Sequence, residues 1–169
     1  MANTVAGEQD PDAVAKFWQR FLARADLEPE TEQPTMWPFG DSAELADKLL
    51  ALVLDGPKRA TATLFADFEA DGEPVPEVGD YWMVPDGSMR PRAVLRTTDV
   101  RIGPLSSVDD QFAYDEGEGD RSRDWWLAAH TRAFTRSAGR LGIEFSDDIV
   151  TVFERFELIY SEDPPETEG

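Results

Sequence analysis

The sequence predicts an α+β fold, a small and partly closed β-barrel with flanking helices and an extra N-terminal helix. Three observations point to it. Two stretches before residue 56 carry apolar residues at helical spacing, several short β-type runs separated by turn residues follow, and a third helical stripe precedes one last strand. The 169 residues suit one domain with a sizeable core, and 41% hydrophobic with 11% aromatic residues is too much for a disordered chain.

Taken in order, residues 1–11 read as a loose leader. Val14, Phe17, Trp18, Phe21, Leu22 and Ala25 then form the stripe of an amphipathic helix, with Pro11 at its start, where a missing N–H costs little. An acidic linker from Glu28 to Pro34 leads through Trp37-Pro38-Phe39-Gly40 to a second helix. Asp41 or Ser42 can cap it, Leu45, Leu49, Leu52 and Val53 form its expected buried face, and Gly56 ends it. Residues Ala60 to Leu64 read as a strand, 71–76 as a turn, Tyr81 to Val84 as a strand, and Asp86-Gly87 as a hairpin turn. Ala93 to Ile102 is one long strand or two bent ones, and Ser106 to Phe112 a short helix. The acidic, glycine-bearing loop Asp115 to Asp120 precedes a helix from about Ser122 whose stripe includes Trp126, Ala129, His130, Ala133 and Phe134. Ile149 to Tyr160 closes the fold as a strand. The expected organisation is a leader, helix and linker over 1–36, the main domain over 37–160, and an acidic tail over 161–169.

Charge narrows the function. Thirty-five acids against sixteen bases give −19. Leaving out the six acids of the two ends (Glu8, Asp10, Glu162, Asp163, Glu166 and Glu168) still leaves −13. A body this acidic repels phosphate at long range, so non-specific duplex DNA binding is not expected and any nucleic-acid contact has to be local. No apolar run approaches the roughly 18 residues of a membrane span. The absence of cysteine excludes disulfides, thiolate metal sites and a cysteine nucleophile. Met1 to Asp10 holds neither a basic residue nor an apolar stretch, so no secretory signal is expected and a cytoplasmic location is.

The runs Phe39-Gly40-Asp41-Ser42, Glu44-Leu45-Ala46-Asp47 and Gly56-Pro57-Lys58-Arg59-Ala60-Thr61-Ala62 resemble the opening of an ASCH domain. Gly117-Glu118-Gly119-Asp120-Arg121-Ser122, with Trp126 and His130, resembles the second signature of the same bacterial family, and Val78-Gly79-Asp80 falls where that family enters its next barrel strand. Each motif is short; their order and separation over roughly residues 37 to 160 carry the likeness. The resemblance implies a PUA-like barrel, a cleft beside the Lys58 segment, and a link to RNA or modified nucleosides. Some small members are amidohydrolases that remove an acyl group from cytidine with a lysine, a threonine and a glutamate, and others are associated with single-stranded RNA cleavage. The resemblance maps the lysine to Lys58 and the threonine to Thr61, the expected catalytic residues. It places the glutamate in the strand 94–98, where Arg96 stands.

Each candidate has a second reading in the residues themselves. Lys58 could hold a phosphate or a base carbonyl, or as a neutral amine serve as a base toward Thr61 or water; equally it could be a solvated lysine beside a helix C-cap. Thr61 is also an ordinary strand residue. Arg96, expected with Arg121 and Ser122 to bind ligand, could clamp a phosphate or pair with a surface acid. The four carboxylates of 115–120 invite a divalent cation, yet they lack a firm metal pattern, so no cofactor is expected. That loop could also present backbone amides to a ligand, or be a mobile segment whose Asp120 caps the following helix. His130, the single histidine, is expected to be packed with one hydrogen bond. Trp37, Trp82 and Trp125 could stack on bases, whereas Trp18 and Trp126 look like core. The leading expectation is a cleft that binds a nucleobase, modified nucleoside or single-stranded RNA through Lys58. Hydrolysis of such a ligand, or an acidic protein-interaction module, are the alternatives.

Overall fold

The computed structural model describes residues 8–164; the leader and tail expectations for 1–7 and 165–169 lie outside the described residues. The elements are α1 (Pro11–Arg24), α2 (Ala43–Asp55), β1 (Ala60–Leu64), α3 (Phe65–Asp71), β2 (Tyr81–Pro85), β3 (Pro91–Pro104), a 3-10 turn (Leu105–Ser107), α4 (Asp110–Glu116), α5 (Arg123–Leu141) and β4 (Val150–Ser161). The four strands form one antiparallel sheet in the order β1-β4-β3-β2. Two compact units divide the chain, one built from Gly56–Asp80 and Thr97–Phe156, the other from the segments before and between these and from the end of β4.

In the second of these units α1 begins where Asp10 accepts hydrogen bonds from the amides of Asp12 and Ala13. Its predicted stripe is its buried face: Val14, Phe17, Trp18, Phe21 and Leu22 pack with Met36, Met83 and Val94. Ser42, rather than Asp41, caps α2, accepting from the amide of Leu45. The buried face of α2 is turned from the expected one, with Ala46, Leu49, Leu50 and Val53 inside and Leu45 and Leu52 only half-buried. Leu45 closes on Gly40, where a Cβ would lie 2.6 Å from its Cγ. The β2–β3 hairpin is organised by Asp86, whose carboxylate accepts from the amides of Ser88 and Arg90 and from the Arg90 guanidinium.

The first unit has its own core. Ala60, Leu64, Leu105, Val108, Phe112, Ala113, Trp126, Phe134 and Phe153 pack together, with Phe112 meeting Phe153 edge-on at 5.1 Å. In it α4 packs on both β1 and α5, and α3 on the same two elements. The sequence reading did not anticipate α3, which buries no residue and follows directly on β1. At seven residues, with Phe65 and Phe68 only half-buried, it is too short to show a helical period. The helix expected over 106–112 is instead a 3-10 turn followed by α4, so Asp115 and Glu116 belong to a helical turn and not to a loop.

Asp86→Ala is expected to lower the unfolding free energy by about 2–3 kcal/mol, because three donors lose a nearly sealed acceptor. Denaturant unfolding of wild type and variant measures it; an unchanged midpoint would show that the turn does not depend on the carboxylate.

Candidate functional site: a buried lysine between two glutamates

Lys58 follows the C-terminal glycine of α2 and leads into β1, and its side chain turns inward. It is 1% exposed, so the solvated-surface reading is overturned. Its Nζ donates to the carbonyl of Ala60 at 2.9 Å and to the Glu118 carboxylate at 3.0 Å, and lies 3.5 Å from Oε1 of Glu116. Both acids come from the end of α4 and the turn after it. Gly117 lets that turn close on the lysine. Its φ is +70°, and a Cβ there would stand 2.7 Å from the backbone of Pro57 and 2.8 Å from the Lys58 nitrogen. The amide of Arg59 donates to the carbonyl of Asp115 at 2.7 Å and locks the same approach.

Glu116 is the hub. Its side chain is 2% exposed, and it accepts from the indole N–H of Trp126 while Oε2 lies 3.3 Å from Nε2 of His130. His130 stacks on Trp126 with ring centroids 3.7 Å apart and donates from Nδ1 to the Trp126 carbonyl at 2.9 Å. With one ring nitrogen facing a carbonyl and the other a carboxylate, both are best used as donors, which is the imidazolium form. Burial works against that charge, but Glu116's charge and hydrogen bond outweigh it and raise the pKa of His130. Burial likewise opposes ionisation of Glu116, and the charges of His130 and Lys58 outweigh it and hold its carboxyl below the usual range. The sequence reading assigned His130 to packing with one hydrogen bond; its ion pair was missed because nothing local links positions 116 and 130.

The remaining acids of the segment disperse. Asp115 pairs with Arg155, and Asp120 accepts from the Ser122 amide. Ser122, not Asp120, caps α5, its hydroxyl accepting from the Trp125 amide at 3.1 Å. Gly119 lies under the Trp125 ring, leaving no room for a Cβ, so the two glycines admit neighbouring protein rather than presenting amides to a ligand. Among the described residues no group of three or more potential ligands converges as a metal site would require.

Beside this segment lies an open depression of about 350 Å3 lined by Asp110, Gln111, Tyr114, Arg121, Ser122 and Arg123. Arg121 lays its guanidinium 3.5 Å from the centre of the Tyr114 ring and donates from Nε to the Tyr114 carbonyl. Its two terminal nitrogens have no partner among the described residues. Arg123 is held by the carbonyls of Val108 and Ser106. Of the expected site residues, Arg121 and Ser122 thus share a surface, three and four residues beyond Glu118. Thr61 is half-buried in β1 opposite Glu154. Arg96 is exposed in the other compact unit, its guanidinium 5.7 Å from the Tyr81 ring centre. The carboxylates that face Lys58 come from 116 and 118, not from the strand 94–98. Trp18 and Trp126 are core, as expected; Trp82 donates to the Trp37 carbonyl and leans on Phe39.

This arrangement is a PUA-like fold. The ASCH domain family model matches residues 35–160, and the chain belongs to that family. Domains of this family are generally thought to bind RNA. A crystal structure of a DUF984-family protein of Enterococcus faecalis V583 is 34% identical, covers 88% of each chain and superposes with a TM-score of 0.80. The ASCH domain of Lactobacillus crispatus JV V101 is 29% identical over 90% of this chain and 96% of its own, with a TM-score of 0.77. No curated protein sequence matches significantly. No helix among the described residues is long and apolar enough to cross a membrane.

Removing one partner from this cluster leaves a buried charge. Lys58→Met is expected to cost about 3–5 kcal/mol in denaturant unfolding, and Lys58→Met with Glu116→Gln less than the single change. A double variant that costs the sum of Lys58→Met and Glu116→Gln measured singly would show that the pair is uncoupled. The pH dependence has a definite sign. A raised His130 contributes stability that is complete below its unfolded pKa near 6.5 and is lost as pH rises through the folded value. A lowered Glu116 contributes stability that is complete above 4.5 and is lost as pH falls through the folded value. The stability difference between wild type and His130→Gln should therefore shrink as pH rises above about 6.5. A difference that grows instead would reverse the assignment.

Proposed function

We propose that this protein binds a nucleobase, a modified nucleoside or short single-stranded RNA at the surface formed by Tyr114, Arg121 and Ser122, with Lys58 as the buried cation beside it. The observation that carries the reading is the Arg121–Tyr114 stack, a planar cation with free terminal nitrogens in a chain of net charge −19. A base can stack on the outer face of the guanidinium, and a phosphate can meet its terminal nitrogens and the start of α5. The acidic remainder of the chain opposes a long phosphate track, which favours a ligand of one or a few nucleotides. Lys58 enters when the ligand replaces Glu118, the one of its two carboxylate partners that reaches solvent, with its side chain 20% exposed. A base carbonyl or phosphate oxygen then takes the place of the carboxylate at Nζ.

A second reading is hydrolysis of an acylated cytidine. It is supported by the Lys58–Glu118 pair at 3.0 Å with Thr61 three residues after the lysine, the same three residue types that the family resemblance calls for, with the glutamate at a different position from the strand 94–98. In that reading Arg96 is not the substitute for the carboxylate; Glu118 supplies it.

Fluorescence anisotropy with labelled oligoribonucleotides tests the binding reading. Arg121→Ala should weaken binding about tenfold, and the plot of log affinity against log salt should have a shallow slope of about −1. Binding that is unchanged in Arg121→Ala would remove the surface from consideration. For the hydrolytic reading, mass spectrometry should show free acid released from acylated cytidine by wild type and not by Lys58→Ala or Glu118→Gln. No release by wild type rejects it.

A further inference from the structure

Helix α5 carries a charge pattern that the site described so far does not use. Residues 125–143 are the longest stretch without an acid in a chain that has 35 of them. That stretch holds Arg132, Arg136 and Arg140 at spacing i, i+4 and i+8, and all three are exposed. At 3.6 residues per turn they lie within about 80° of one another. They are turned away from Trp126, Phe134 and Ala138, the buried side of the helix.

This is not the pattern of an ordinary solvated helix face. Like charges four residues apart destabilise a helix, and an exposed face normally intersperses acids that offset them. Within α5 no position three or four residues from any of these arginines is acidic. Arg132 and Arg136 make no hydrogen bond or ion pair with a described residue. Arg140 donates to the Ser137 hydroxyl at 3.0 Å, and Asp67 of α3 feels its charge without pairing with it. The small residues Ala128 and Gly139 lie alongside, and a Cβ at Gly139 would meet no neighbouring group within 4 Å.

The stripe continues from the surface proposed above. Trp125, half-buried over Gly119, stands four residues after Arg121. It is also seven residues, two turns, before Arg132 and so on the same side of α5. Successive arginines of the stripe are about 6 Å apart along the helix axis, a spacing that suits adjacent phosphates of an extended strand. A lipid surface would need large apolar side chains beside the cations, and alanine and glycine stand there instead.

We infer that Arg132, Arg136 and Arg140 form a track for the phosphates of a single-stranded RNA whose first bases lie at Tyr114, Arg121 and Trp125. The inference rests on the binding reading above and selects, from its ligands, an RNA of several nucleotides. Each guanidinium is a planar fork of donors that fits two phosphate oxygens. Trp125 supplies a ring for base stacking between the two groups of cations.

Fluorescence anisotropy with labelled oligo-U of about two and about eight nucleotides tests it. The variant Arg132→Gln with Arg136→Gln and Arg140→Gln removes the stripe, and it should melt no lower than wild type because like charges are removed. The longer RNA should bind it roughly ten- to fiftyfold more weakly at physiological salt. Its slope of log affinity against log salt should be shallower than that of wild type by about 2, or about 0.7 for each phosphate released. The dinucleotide, too short to reach the stripe, should bind both proteins equally with the slope of about −1 that belongs to Arg121. A control, Lys16→Gln with Arg24→Gln and Lys48→Gln, changes the net charge equally at exposed positions of α1 and α2 and should keep wild-type affinities. An unchanged slope in the stripe variant, or an equal loss in the control, overturns the inference. Phosphatidylserine vesicles that capture wild type but not the stripe variant, with RNA affinity equal in both, would make the stripe a lipid contact and also overturn it. If Arg121→Ala weakens both RNAs while the stripe variant weakens neither, the binding surface stands without the track. If wild type binds neither RNA, both readings fall.

Discussion

One buried carboxylate organises this end of the molecule. Glu116 takes the indole proton of Trp126, faces the imidazole of His130 and lies 3.5 Å from the ammonium of Lys58. These partners come from the entry to β1 and the first turns of α5, and the acid itself from the end of α4, so a single carboxylate ties three elements. Its low-dielectric surroundings make each pairing strong and make the loss of any one costly. Gly117 has to be glycine for the acid to arrive there, because its backbone rests against Pro57 and Lys58.

The cluster also supports the surface proposed to bind the ligand. Once Glu116, Lys58 and His130 have been fixed internally, the outward-facing groups of the same segment include Glu118, Tyr114, Asp120, Arg121 and Ser122. Glu118 is the partner of Lys58 that reaches water, and Arg121 is held flat on Tyr114 with its terminal nitrogens free. A rigid inner layer that positions a more accessible outer one is the arrangement a binding surface needs.

Much of the fold was legible in the sequence because it rests on local signals. The apolar stripe of α1, its start at Pro11, the glycine after α2 and the alternation in β1 are each contained within a few residues. The elements that were misjudged lack such signals. The α3 helix is seven residues long and fully buries none of them, the α2 face is turned so that Ala46 and Leu50 lie inside, and α4 runs into a stretch whose acids and glycines read as loop. The candidate site was legible only in part. Motif order singled out Lys58, but its carboxylate partners are 58 and 60 residues away, and periodicity cannot report a contact of that range.

The account depends on Glu116 holding His130 as an imidazolium. This protein has one histidine, so its ring nitrogens can be followed by NMR without ambiguity. Titration of 15N-labelled protein should show both nitrogens protonated at neutral pH and a pKa above 6.5, falling in Glu116→Gln. A neutral ring at pH 7 with a pKa below 6.5 would contradict the account and dissolve the cluster on which the site is built.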